Sequence, residues 1–407
     1  MQIMTKKTGL YIHIPFCVKK CNYCAFLSFD AETSPRKEYA DALVNEITYR
    51  GEELGHPEID TVYVGGGTPS VLDISQMRDI MHAVNKSFRV KTGAEITIEA
   101  NPATLGRKDG VMLAKLQAYR YMGFNRLSMG VQAMDKDRLH FMGSIHTAEN
   151  VVRDMALIRR KGFDNVNLDL MFSIPGETTE DALEDLRKIL ELRPEHISCY
   201  SLQIEEGTPF GDMAAAGKLT EVSDEEDRRT YHEICKALWK AGYEHYEISN
   251  FARPGYRSRH NSLYWDMSDY IGVGLGASGF VNGCRYKNIT DIEDYISSFS
   301  ILPVLEGARI TVPLEEEHIN DGFDNISEAV FTGLRRREGI TYEDALDAFG
   351  PCGYEGSEKD KFWQIFAEAK EEAEDYAKRG LLVIDDDGLR LTEYGIDISN
   401  QIMSLFV

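Results

Sequence analysis

The sequence predicts an α/β protein: a partial (β/α)6 barrel followed by a smaller C-terminal α+β domain of winged-helix type. Three observations predict it. Strand-like and helix-like segments alternate from about residue 8 to residue 250, the pattern of a parallel sheet with covering helices. Several strand candidates are near-continuous apolar runs, as in strands buried on both faces. The tail changes character, with charged helical stretches ending in a hairpin.

Taken in order, the strand candidates are Leu10–Ile14, Thr61–Val64, Glu95–Glu99, Arg126–Val131, Asn165–Leu170 and His196–Leu202. Ser34 followed by Pro35 starts a helix running toward Leu54, because serine caps free amides and proline suits the first turn. Ser223 with Glu226 forms a capping-box pattern before Tyr231–Lys240, and Gly242 stops that helix. In the tail, Asn325–Arg337 and Lys361–Arg379 read as helices. The run Gly380–Ile384, the turn Asp386-Asp387-Gly388 and Leu389–Thr392 read as a hairpin. The expected division is a barrel over residues 1–250, an extension over 251–304 and a winged-helix-like domain over 305–407.

Composition narrows the function. The chain has 407 residues, 43% of them hydrophobic, and a net charge of -22. A nucleic-acid footprint needs a basic face, so nucleic acid is not an expected partner. No apolar run approaches the roughly 18 residues of a membrane span. The first residues are too short and polar a stretch for a secretion signal, so membrane contact is expected to be peripheral at most. Seven scattered or clustered cysteines without a disulfide spacing fit a reduced cytoplasm. Cys199, Cys235, Cys284 and Cys352 are read as buried apolar residues.

The chemistry concentrates at the carboxyl ends of the predicted strands, where barrels collect ligands. Cys17, Cys21 and Cys24 follow the first strand within one short loop. Thiolates at such spacings suit an iron–sulfur cluster and zinc alike. A structural zinc would want a fourth ligand; His13 is a candidate, but within its strand its side chain alternates away from its neighbours. With iron and sulfide, three thiolates would leave one iron open. Gly65-Gly66-Gly67-Thr68 follows the second strand, and residues without side chains let backbone approach a ligand closely. Glu99, Gln132 and Asp169 sit at or near the ends of the next three strands. His260 lies among aromatic residues in His260-Asn261-Ser262-Leu263-Tyr264-Trp265, where by itself a histidine is more often simply packed. The string Gly274-Leu275-Gly276-Ala277-Ser278-Gly279 fits a dinucleotide fingerprint but lacks a following helix, so it reads as a buried turn.

The string Cys17-x-x-x-Cys21-x-Tyr23-Cys24 resembles the signature of radical S-adenosylmethionine (SAM) proteins. That likeness implies a [4Fe–4S] cluster on the three cysteines. SAM would bind at the open iron and be cleaved to a 5′-deoxyadenosyl radical on reduction by an electron donor. Tyr11-Ile12-His13-Ile14-Pro15-Phe16-Cys17, the triple glycine, Glu99-Ala100-Asn101-Pro102, Gly130-Val131-Gln132 and Asn167-Leu168-Asp169-Leu170 together resemble the oxygen-independent coproporphyrinogen III oxidase family. The resemblance assigns Tyr11, Tyr23, Gly66, Gly67, Thr68, Glu99, Gln132 and Asp169 to the SAM pocket.

That family has an oxidase branch and a heme-chaperone branch. Cys24 is followed by Ala25 and Phe26 rather than by a further cysteine two positions on, and sixteen residues precede Cys17. Both features, and the motif around His260, resemble the chaperones, which bind heme as cargo and pass it to acceptor proteins. The expected function is therefore heme delivery on a radical SAM scaffold. The alternative is SAM-dependent oxidative decarboxylation of coproporphyrinogen III. Ser144 stands where the family usually has an arginine that helps position SAM, a departure that weighs against chemistry with two SAM molecules.

Overall fold

The computed structural model describes residues 7–300 and 312–407. The expected boundary at 304/305 and the first six residues lie outside the described residues. Among those described, twelve strands form one open sheet. In chain order they are β1 (Thr8–Ile14), β2 (Glu58–Gly66), β3 (Arg89–Ala100), β4 (Arg126–Gln132), β5 (Val166–Phe172), β6 (His196–Ser201), β7 (Glu244–Glu247), β8 (Asn250–Ala252), β9 (Asp269–Val273), β10 (Ser278–Val281), β11 (Cys284–Asn288) and β12 (Leu314–Ile319). Their spatial order is β12-β11-β10-β9-β1-β2-β3-β4-β5-β6-β8-β7.

Strands β1 to β6 are the six the sequence predicts, and each pairs in parallel with the next. A seventh parallel strand, β9, pairs with β1 on the other side. Antiparallel strands continue the sheet at both ends. The division expected at 250/251 falls inside β8, and β9 to β11 extend the barrel sheet.

The apolar runs have a sidedness that the sequence reading did not give them. Leu10, Ile12 and Ile14 of β1 are fully buried against the covering helices, so Tyr11 and His13 alternate to the inner face. In register beside them stand Tyr63, Thr97 and Arg126, and further round Asn167 and His196. The barrel interior is thus polar, although both faces are covered. Bonds join its members: Asn167 Nδ2 donates to Ser128 Oγ at 2.8 Å, and His196 Nδ1 lies 2.6 Å from Asn167 Oδ1.

The first helix, α1 (Arg36–Glu53), does not take Ser34 as its cap. Pro35 holds the N-cap position with no side-chain bond, and the Ser34 carbonyl instead accepts from Arg36 N. The Ser223 hydroxyl does cap its helix, accepting from Glu226 N, and that helix runs over Asp224–Lys240. The tail forms helices and a three-stranded antiparallel sheet of Ile340–Thr341, Leu382–Ile384 and Gly388–Leu391, the mixed α+β content expected of it. The single helix expected over Lys361–Arg379 is two, Glu358–Ile365 and Lys370–Lys378.

The glycine-rich string at 274–279 turns β9 into β10 without a helix. Gly274 (φ +100°) abuts the His13 carbonyl and the Tyr39 hydroxyl, leaving no room for a Cβ. Of the four scattered cysteines only Cys199 is buried; Cys235, Cys284 and Cys352 are partly exposed. Being small does not bury them, because their elements lie nearer the surface.

Candidate cofactor and ligand site

A cavity of about 530 Å³ opens at the carboxyl ends of the parallel strands. It brings together most of the residues singled out in the sequence. Cys17, Cys21, Tyr23 and Cys24 line it from the loop after β1. Gly66, Gly67 and Thr68 line it from the end of β2, and Glu99, Gln132 and Asp169 from β3, β4 and β5. The position follows from the parallel sheet, which puts every strand's carboxyl end on one side.

The cysteine loop is pinned by backbone. Ala31 N donates to Cys17 O at 2.8 Å, Asn22 N to Met142 O at 2.9 Å, and Thr68 N to Phe16 O at 2.8 Å. A Cβ on Gly67 would stand 2.8 Å from the Phe16 carbonyl and 3.1 Å from Cys17 Sγ, so the glycine is what lets β2 approach the loop. All three thiols are free. Burial pushes the Cys21 thiol up to about 11 and raises Cys17, and each is further raised by the charge of Cys24. Binding metal as thiolates therefore has to displace protons.

Among the described residues no three His, Cys, Asp or Glu side chains are grouped to hold one ion. His13, the fourth ligand a zinc reading needs, has its Nδ1 2.9 Å from Tyr11 Oη and does not line the cavity. A cubane offers its irons at separate corners, so three thiols set around one cavity fit it better than they fit one tetrahedral ion.

The carboxylates on the wall are held from behind. Tyr63 Oη donates to Glu99 Oε1 at 2.6 Å and Gly66 N donates to Oε2 at 3.1 Å. Burial nonetheless lifts the Glu99 carboxyl to about 7, with Asp169 adding to the rise against those two bonds. Asn167 Nδ2 donates to Asp169 Oδ1 at 2.6 Å, and burial raises Asp169 as well. Gln132 takes φ +66° where the β4–β5 register shifts. This strained conformation aims its side chain at Tyr200, whose hydroxyl donates to Oε1 at 3.2 Å.

Two predicted residues are not on the wall. Tyr11 is turned toward His13 and stacks on Tyr63. His260 is buried on the short helix α2 (Arg259–Trp265), with Nδ1 2.7 Å from Thr61 Oγ1 and Nε2 2.9 Å from Tyr264 Oη. The Tyr63 ring stacks on it at 5.1 Å between centroids. Burial drives its imidazole down to about 3, with the Arg126 charge adding to the drop, so it is neutral. Its neighbour Asn261 does reach the cavity. Ser144 lies after the helix Lys136–Phe141 and is not among the lining residues. Sequence reasoning missed Tyr63, Arg126, Ser128, Asn167 and Tyr200, which also line the cavity. The signal was available: Asn167 stands two places from Asp169, and Ser128 and Gly130 alternate toward Gln132.

Residues 11–189 match the Radical SAM superfamily, and residues 323–398 match the HemN C-terminal domain. The heme chaperone HemW of Lactococcus lactis is 32% identical over 405 residues, covering 100% of this chain and 98% of that one. The chain belongs to the HemW family. HemW of Bacillus subtilis is 31% identical, with 98% of each chain covered. HemW of Escherichia coli is 38% identical over 276 residues, 67% of this chain and 70% of that one. The solved coproporphyrinogen III oxidase of Escherichia coli superposes with a TM-score of 0.81 over 98% of this chain and 90% of that one, at 24% identity. That likeness shows the fold. As radical SAM proteins, HemW family members use a [4Fe–4S] cluster and SAM as cofactors, and the thiols and the glycine-rich strand end described above suit those groups.

Proposed function

We propose that this chain is a heme chaperone: it binds heme and hands it to acceptor proteins, on a scaffold holding a [4Fe–4S] cluster and SAM. The observation that carries the reading is the state of His260. It is neutral and buried beside the cavity, with Nδ1 held by Thr61. Nε2 is then the ring nitrogen that can turn to iron once Tyr264 gives way. The full-length likeness to proteins named heme chaperones supports it.

In this reading Cys17, Cys21 and Cys24 hold the cluster. When bound, the cluster supplies an open iron for the amino and carboxylate groups of SAM. Gly66 and Gly67 let main chain lie against SAM, with Thr68 beside them. Glu99, Gln132 and Asp169 offer acceptors along the wall. Tyr23 closes the side nearest the cysteines, and Tyr11 backs the site through its stack on Tyr63. An electron donor would dock at the cysteine loop, where Lys19 and Lys20 are exposed. Among the described residues no helix is long and apolar enough to cross a membrane. We place the protein in the cytoplasm, with membrane contact at most peripheral.

Heme titration of wild type and His260→Ala, followed by transfer to an apo heme protein, tests the reading. It expects wild type to bind and transfer, and His260→Ala to bind at least about ten-fold more weakly. Equal affinity rejects His260 as the ligand, and no binding by either rejects the function.

A further inference from the structure

Arg126 opens β4, is 2% exposed and lines the cavity. Its Nε has no hydrogen-bond partner among the described residues. The carboxylates of Glu99 and Asp169 are close enough for its charge to act on them, and Glu95 stands two residues before Thr97 on the neighbouring strand; each is bonded elsewhere. Glu99 accepts from Tyr63 and Gly66, and Asp169 from Asn167. Glu95 accepts from the main-chain N–H groups of His260 and Arg259. Thr97, directly opposite Arg126 in register, also has a buried hydroxyl without a partner.

A buried guanidinium with an unpaired N–H is costly, and carboxylates already bonded to other groups offset only part of that cost. Its planar fork matches one chemistry in particular, a carboxylate bound by two parallel N–H groups. Glu99 is level with Ser128, so Arg126 begins two residues deeper, about 7 Å toward the amino-terminal ends of the strands. The cysteine loop lies on the opposite side of Glu99, at the mouth. The methionine carboxylate of SAM, drawn to iron at that mouth, is therefore not the natural occupant. On the cavity's other flank Arg126 is near enough to His260 for its charge to act on the imidazole.

We propose that Arg126 is a carboxylate receptor at the floor of the cavity and that it binds a propionate of the tetrapyrrole. The assignment rests on the heme-binding reading. One ligand then spans both groups, its iron at His260 and one acid arm at Arg126.

The test compares heme with heme dimethyl ester, whose propionates carry no charge, on the anaerobically reconstituted protein. Wild type is expected to bind heme about ten-fold or more tighter than the diester. Arg126→Gln is expected to bind both alike, and Arg126→Lys to keep part of the preference. SAM affinity is expected to stay within about two-fold in both variants. Equal binding of heme and diester by wild type overturns the proposal without reference to any variant. A preference retained in Arg126→Gln overturns it too. Weakened SAM binding with the heme preference intact would give Arg126 to the SAM carboxylate instead, and overturn it. If wild type binds neither porphyrin, the heme reading itself has failed.

Discussion

The Tyr264 hydroxyl lies 2.9 Å from Nε2 of His260, on the same short helix. The hydroxyl occupies the nitrogen that iron would need, so heme binding has to break this contact. Tyr264→Phe keeps the ring packed against Tyr270 and His260 but removes the bond. A hydrogen bond contributes about 1 kcal/mol net, so the variant should bind heme several-fold tighter in a titration. Weaker binding would show that the hydroxyl helps to hold the ligand instead.

Glu99 predicts a pH dependence of stability. Its carboxyl is raised from 4.5 to about 7 by burial, so the folded state holds a proton that the unfolded chain releases. Folding is favoured below about 4.5, and that advantage is lost as the pH rises through 7. The rise corresponds to roughly 3 kcal/mol. Glu99→Gln mimics the protonated form but puts an amide where Gly66 N now donates, at a cost of about 1 kcal/mol. The ligand-free variant should be about 2 kcal/mol more stable than wild type at pH 8 and no more stable at pH 4, by denaturant titration. A gap of the opposite sign would contradict the buried, raised carboxyl.

The same group sets a binding profile. An ionised Glu99 attracts the cationic SAM, so wild-type SAM affinity should climb as the pH passes through about 7. Glu99→Gln should bind weakly with a flat profile over that range. Equilibrium dialysis from pH 6 to 8 reads both. Parallel profiles in the two proteins would remove Glu99 from the SAM pocket.

Gly67 predicts a loading defect. An added methyl would press on the Phe16 carbonyl and on Cys17 Sγ, so Gly67→Ala has to displace the cysteine loop. Reconstituted iron per chain should fall well below wild type. Gly110→Ala, whose methyl meets open space, should load normally. Equal loading in both variants would mean that the loop tolerates the shift.

Much of this was legible in the sequence because parallel strands announce themselves. The segments at β1 to β6 are apolar on their outer face, and their carboxyl ends carry cysteine, glycine and carboxylate in succession. What the sequence hid depends on pairing across strands. Arg126, Tyr63 and Asn167 occupy alternate positions that resemble a solvated face until the sheet curls them inward. His260 reads as a ligand among its own helix's aromatics. Besides Tyr264, its neighbours are Thr61 and Tyr63 from β2, some two hundred residues earlier in the chain. Ser34 has the chemistry of a cap, but the backbone turns one residue later, at Pro35.

Anaerobic reconstitution with iron and sulfide, followed by electron paramagnetic resonance of the reduced protein with and without SAM, tests the centre of the account most directly. The three-cysteine site predicts four irons per chain, a reduced-cluster signal that SAM changes, and loss of both in Cys24→Ala. A wild-type protein that takes up a single zinc, or a cluster whose signal SAM leaves unchanged, would contradict it.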